Sequence, residues 1–199
     1  MSRRASGGWQ ASDGFTWVDV TITLAFVATM TALALPSAAH VVDVSRGRHA
    51  ARYLAAELRA ARQHAVLSRR STAIVFDRAG TDWTFRRCHD GNGDGVRRAD
   101  LNTGIDPCRG PGLRLGSLIG EVSIALPSSV LGPDDEVPGG DAVRFGSSGM
   151  ASCSPTGGCS VGTVFVRSQR AQFAVRVGGI TGRVRVLSYE PGSLRWLPE

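Results

Sequence analysis

Residues 20–35 carry no charge and are dominated by Val, Ile, Leu, Ala, Phe and Thr, whereas residues 1–14 are polar and include Arg3, Arg4 and Asp13. Sixteen helical residues at about 1.5 Å each reach about 24 Å, short of the roughly 30 Å hydrocarbon layer of a bilayer. A spanning helix must therefore extend back to Phe15 or forward to Ala39, and the backward extension takes in Asp19. Past Pro36 the pattern turns amphipathic: Tyr53, Leu54, Leu58, Ala61 and Ala65 recur at three- and four-residue intervals, with Arg48, Arg52, Glu57, Arg59 and Arg62 between them. This predicts one long helix over about 16–68, bent near Pro36, its first half suited to lipid and its second to a sheet. Its arginine face is expected to be solvated or, near the membrane, to meet anionic headgroups.

From Ser71 the period shortens to that of strands. Residues 72–76 and 83–85 flank the turn signal Arg78-Ala79-Gly80 and predict a hairpin. Further strands are expected at 113–115, 122–126, 142–145, 163–166, 172–177 and 183–187, each bounded by Gly, Pro, Ser or Asp. The predicted class is α+β, a long N-terminal helix packed on antiparallel β-sheets.

Composition narrows this little. A chain of 199 residues with 42% hydrophobic content holds one ordinary domain plus an appendage and is too short for a multidomain enzyme. Gly 25 and Pro 9 mark a loop-rich chain without collagen periodicity. There are 23 basic and 17 acidic residues, a formal charge of +6, and every basic residue is an arginine. Such a charge permits attraction to nucleic acid or anionic lipid without identifying either.

Four cysteines, Cys88, Cys108, Cys153 and Cys159, include no C-x-x-C pair, so an oxidising compartment is the simpler reading than a zinc ribbon. Local pairing, Cys88 with Cys108 and Cys153 with Cys159, is the simplest of three connectivities, and sequence alone does not choose among them. Between the first two lies Asp90-Gly91-Asn92-Gly93-Asp94-Gly95, which matches the opening of an EF-hand calcium loop. The twelfth position is Leu101, where a bidentate acid is needed, so a calcium site at Asp90, Asn92 and Asp94 would have to recruit Asp100. The competing reading is a polar loop using Asp and Asn for turn geometry. No other cofactor is expected. His40, His49, His64 and His89 lack metal-ligand spacing, and a disulfide at Cys88 would remove the thiolate beside His89. Ser147 and Ser148 lack a G-x-S-x-G context, and no phosphate loop is present. An enzyme is not expected. In Gly182-Arg183-Val184-Arg185, strand alternation points Arg183 and Arg185 to one face, with Arg167, Arg170 and Arg176 on neighbouring candidate strands.

The string Gly14-Phe15-Thr16-Trp17-Val18-Asp19 resembles the class III signal of type IV prepilins and pseudopilins. The resemblance implies that prepilin peptidase cuts after Gly14, that Phe15 becomes the methylated first residue, and that Asp19 stands fifth and Pro36 twenty-second in the mature chain. The usual glutamate at the fifth position is here an aspartate. A carboxylate inside a bilayer is costly and normally paired; the amine of Phe15 on an adjacent subunit would neutralise Asp19 and fix the stagger between helices. An ordinary secretory signal cut near Pro36-Ser37-Ala38-Ala39 is the competing reading.

The element order and the Gly-Arg-Val-Arg string resemble the GspH/FimT group of minor pseudopilins. That resemblance divides the chain into a leader (1–14), a transmembrane helix segment (15–39), its amphipathic continuation (40–70) and a periplasmic antiparallel β domain (71–199). It implies a pilin-like fold and a single-pass inner-membrane subunit of a type II secretion pseudopilus or type IV pilus, active in filament assembly and protein secretion. Its partners would be other pilins or pseudopilins, bound through N-terminal helices. In the FimT-like branch it implies DNA capture through Arg183 and Arg185 during natural transformation.

Overall fold

The computed structural model describes residues 16–134 and 139–199. The chain divides into two compact units, Met1–Ala39 and His40–Glu199. Helix α1 covers Trp17–Ser68 and contributes to both.

In the first unit, α1 opens with a capping box. The Thr16 hydroxyl donates to the Asp19 carboxylate at 2.6 Å, the Thr16 N–H donates to the same oxygen at 3.2 Å, and the Asp19 N–H donates back to Thr16 Oγ1 at 3.3 Å. The hydroxyls of Thr21, Thr23, Thr29 and Thr31 donate to carbonyls of the preceding turn. Each threonine thereby satisfies its own polar group and presents a methyl outward. Trp17, Ile22, Leu24, Phe26, Val27 and Met30 are all exposed. Among the described residues no helix is long and apolar enough to cross a membrane; the side chains at 33–37, in the apolar run, lie outside the description.

The second unit is α+β, its helical part packed on two antiparallel sheets. One sheet has the order β3-β2-β1-β6, from β1 (Thr72–Ala79), β2 (Asp82–His89), β3 (Cys108–Leu113) and β6 (Met150–Cys153). The other has the order β10-β9-β8-β7-β4, with β5 also on β7: β4 (Ser123–Ile124), β5 (Val143–Arg144), β7 (Gly162–Arg167), β8 (Gln172–Val177), β9 (Val184–Glu190) and β10 (Arg195–Pro198). Short helices α2 (Arg98–Thr103) and α3 (Leu115–Ile119) fill connections.

Residues 40–68 supply the stripe that the periodicity predicts. Ala50, Ala51, Leu54, Ala55, Leu58 and Ala61 are buried in one cluster with Ile74, Phe76 and Phe85 of the first sheet and Val164, Phe173, Val175 and Val186 of the second. Alanines at four of these six positions let the backbone lie close to both sheets. Gly47 carries the same logic furthest: a Cβ there would come within 2.6 Å of the Phe173 ring. A second cluster, Ala73, Val75, Cys88, Val96 and Met150, lies on the opposite face of the first sheet, because alternate residues of β1 point away from the helix.

One charged residue on the helix is buried. Asp43 is 7% exposed and accepts three hydrogen bonds from the β7–β8 turn: Ser168 Oγ at 2.9 Å, Gln169 N–H at 3.1 Å and Arg170 N–H at 2.8 Å. Burial works to raise its pKa, but the hydrogen bonds from Arg170, Ser168 and Gln169 and the Arg170 charge outweigh burial and hold the carboxyl below its ordinary range.

The expected hairpin forms with its turn one residue later than the signal suggests, at Gly80-Thr81, Gly80 adopting φ 69°. The strand expected over 113–115 is a junction instead: Leu113 ends β3, while Leu115 drops into the core as the first residue of α3.

Candidate functional site

The cleavage and methylation positions Gly14 and Phe15 lie outside the described residues. Asp19 is exposed and its carboxylate is engaged by Thr16 of its own chain. A partner amine would therefore compete with, or join, an existing cap.

The four cysteines form two local disulfides, Cys88–Cys108 and Cys153–Cys159. The first spans 20 residues and closes the loop that carries the calcium-like string. Inside it, Asp90 is 3% exposed and its two oxygens accept the N–H groups of Gly93 (2.6 Å) and Gly95 (3.0 Å). Asp106, 1% exposed and too far along the sequence for the calcium pattern, accepts from the N–H groups of Gly91 and Arg97, both at 2.9 Å. Asn92 accepts from the N–H of Asp94, Asp94 pairs with Arg97 at 2.9 Å, and Asp100 sits in the first turn of α2. The carboxylates of Asp90 and Asp106 are thus committed to the backbone of the loop, which is the turn-geometry arrangement. Among the described residues no group of three or more His, Cys, Asp or Glu side chains is placed to hold a metal.

His89 lies against His64 with ring centroids 4.4 Å apart and planes tilted by 33°, and both Nδ1 atoms are within hydrogen-bond distance of the Thr72 hydroxyl, at 3.2 Å for His64 and 3.3 Å for His89. Burial, the neighbouring His64 and the charges of Arg87 and Arg109 all push the His89 pKa down. The sulfur beside it at Cys88 is bonded to Cys108.

Arg183 and Arg185 are exposed on one face, with Val184 and Val186 buried on the other, as strand alternation requires. Gly182 adopts φ 56° and packs against Arg62, whose Nε donates to the Gly157 carbonyl at 2.7 Å. Arg176 stands opposite Arg185 on β8 and is neutralised by Asp134 at 2.7 Å. The helix adds two more cations. A groove of about 640 Å³ between residues 52–59 of α1 and β9 is lined by Arg52, Arg59, Arg183 and Arg185, with Val184 and Glu199. Arg59 is therefore not simply solvated: its Nη2 donates to the Val184 carbonyl at 3.1 Å. Sequence periodicity separates Arg59 from Arg183 by more than a hundred residues and offers no signal that they share a groove.

No family model matches the chain, and no curated protein or solved structure matches it either.

Proposed function

We propose that the chain is a minor pseudopilin, a membrane-anchored structural subunit that takes part in assembling a type II secretion pseudopilus or type IV pilus. The observation that carries this reading is the sequence spacing of Gly14, Phe15, Asp19 and Pro36, joined to a helix from Trp17 whose apolar side chains are exposed. Around residues 17–32 there is no single apolar stripe, and the threonines conceal their hydroxyls; both features suit a lipid or helix-bundle environment. The second unit, a helix packed on antiparallel sheets, is compatible with a pilin-like head held on that anchor. Two disulfides suit a periplasmic location. The subunit works by packing and not by catalysis: Asp19 would meet the amine of Phe15 on an incoming subunit, and the second unit would present its surface to neighbours.

The test is direct. In cells containing prepilin peptidase, intact-mass and amino-terminal analysis should find a protein beginning at a methylated Phe15, with 199 minus 14, or 185, residues. Asp19→Ala should be processed normally yet assemble poorly, while Asp19→Glu assembles. A start at Val41, or an uncut Met1, refutes the reading. DNA contact by Arg183 and Arg185 is the competing reading; it requires salt-sensitive DNA binding by the protein that falls more on Arg183→Gln with Arg185→Gln than on an equal loss of charge at Arg78 and Arg114.

A further inference from the structure

We propose that His64, Thr72 and His89 form a one-proton clasp that fastens the C-terminal end of α1 to β1 and β2, and that a second proton opens it, making the α1–β1 junction an acid-operated hinge. The inference is independent of the filament reading. Apolar packing of the helix stops short of its end: Ala65 is its last buried side chain, and residues 66–70 are exposed. Ser68 Oγ donates to the His64 carbonyl at 2.7 Å, and the chain then turns through Arg69 at φ 54°. A side chain in this left-handed region is strained relative to glycine and needs its surroundings to hold it. His64 Nδ1, 3.2 Å from Thr72 Oγ1, bridges the turn from helix to strand. The far side of the turn is pinned separately: Arg70 Nη1 donates to the Asp90 and Gly91 carbonyls at 3.5 and 3.4 Å, and the Asp90 N–H donates to the Ser71 carbonyl at 3.0 Å.

The clasp counts protons because its centre is a single hydroxyl. Thr72 has one O–H to donate, so with a ring on each side it donates to one Nδ1 and accepts from the other. One ring therefore carries its proton on Nδ1 and the other does not. A second proton makes both Nδ1 atoms donors. Thr72 is 0% exposed, and its hydrogen then loses the imidazole that accepted it. Two imidazoliums would also face each other with centroids 4.4 Å apart. The surrounding charges oppose that state: Arg87 of β2 and Arg109 of β3 act on His89, and Arg70 reaches the carbonyl of the next residue. Of the nearby acids, Glu57 of α1 is paired with Arg87, and Asp90 accepts from the N–H groups of Gly93 and Gly95. Relief comes from moving His64, since His89 lies on a strand paired on both sides and follows the Cys88–Cys108 bond. The last turn of α1 then swings about the pinned Arg70 and Ser71, and Arg69 leaves its strained conformation.

The test is hydrogen exchange of the full-length protein in detergent, corrected for the intrinsic effect of pH. Between about pH 7.5 and about pH 5.5, protection of the amides of residues 65–69 should fall by about tenfold, while that of residues 50–58 falls by less than about twofold. Thr72→Val, which keeps the shape and removes the hydroxyl, should leave residues 65–69 poorly protected at both pH values. His64→Gln and His89→Gln should each abolish the pH dependence there, and His40→Gln combined with His49→Gln should keep it. Imidazole nitrogen shifts of the unmutated protein give a readout independent of any variant's folding: near pH 7.5 the Nδ1–H populations of His64 and His89 should sum to about one. Unchanged protection in acid, an equal loss over residues 50–58, pH dependence that survives in His89→Gln, wild-type behaviour of Thr72→Val, or the same tautomer on both rings would overturn the proposal.

Discussion

Arginines on the two sides of the second unit are used in opposite ways. On the β1–β2 side three are spent on their own chain: Arg87 pairs with Glu57, Arg86 and Arg98 with Asp77, and Arg98 also donates to the carbonyls of Phe76 and Ser148. Beside β9, Arg59, Arg183 and Arg185 form no ion pair among the described residues. Both sides contribute to the same formal charge of +6, but they pair it to different extents. Net charge therefore misleads unless it is divided by pairing, because paired arginines tie elements of the fold together and unpaired ones do not.

The largest expected effect would sharpen that contrast from the structural side. The Cys88–Cys108 bond closes 20 residues within the heavily paired region, and replacing both cysteines by serine should cost about 3 kcal/mol by the chain-entropy model. The Cys153–Cys159 bond closes only 6 residues and should cost about 2 kcal/mol. Denaturant melts of the full chain in detergent would check the order; a larger loss from the short loop would break it.

A smaller effect should divide the arginines themselves. Arg98→Ala strands two carbonyls and leaves Asp77 with Arg86 alone, and should cost about 2 kcal/mol, while Arg183→Gln with Arg185→Gln should alter stability by no more than about 0.5 kcal/mol. Similar losses in both variants would erase the distinction between structural and surface arginines.

The smallest effect concerns pH. The His89 pKa is depressed in the folded protein, so below the ordinary histidine pKa of about 6.5 the unfolded chain binds more protons and stability falls with pH. Melts between pH 7 and 5 should decline, with the slope flattened in His89→Gln. Asp43, also depressed, contributes separately, its stabilisation being lost as pH falls below about 4. An unchanged slope in His89→Gln would show that the added cation is tolerated beside Arg87 and Arg109.

Local signals were legible and remote ones were not. The helical stripe through Leu54 and Leu58, the first hairpin, the strands at 163–166 and 172–177 and the shared face of Arg183 and Arg185 all follow from periods of a few residues. β6 and β10 were missed, each being 4 residues long and defined by its partner strand: Met150 faces Val75 across the sheet. Leu113 and Leu115 looked alike in sequence, but only Leu115 reaches the core, and it does so from a helical turn. The arginine groove and the Asp43 contacts each join residues more than a hundred positions apart, and no spacing rule spans that distance. Asp90 and Asn92 were legible as a polar loop, while Asp106, in sequence only an acid farther out than Asp100, shows its role through the N–H groups it accepts.

The Asp43 contacts also have a mechanical meaning. Donors from three consecutive residues, Ser168, Gln169 and Arg170, converge on one carboxylate. A pull along the helix axis would load these bonds in parallel and not one after another, so the β7–β8 turn would resist sliding along the helix until all three gave way together. Apolar packing alone is non-directional and offers less resistance to such a slip. One side chain thereby gives the helix–sheet contact a yield point.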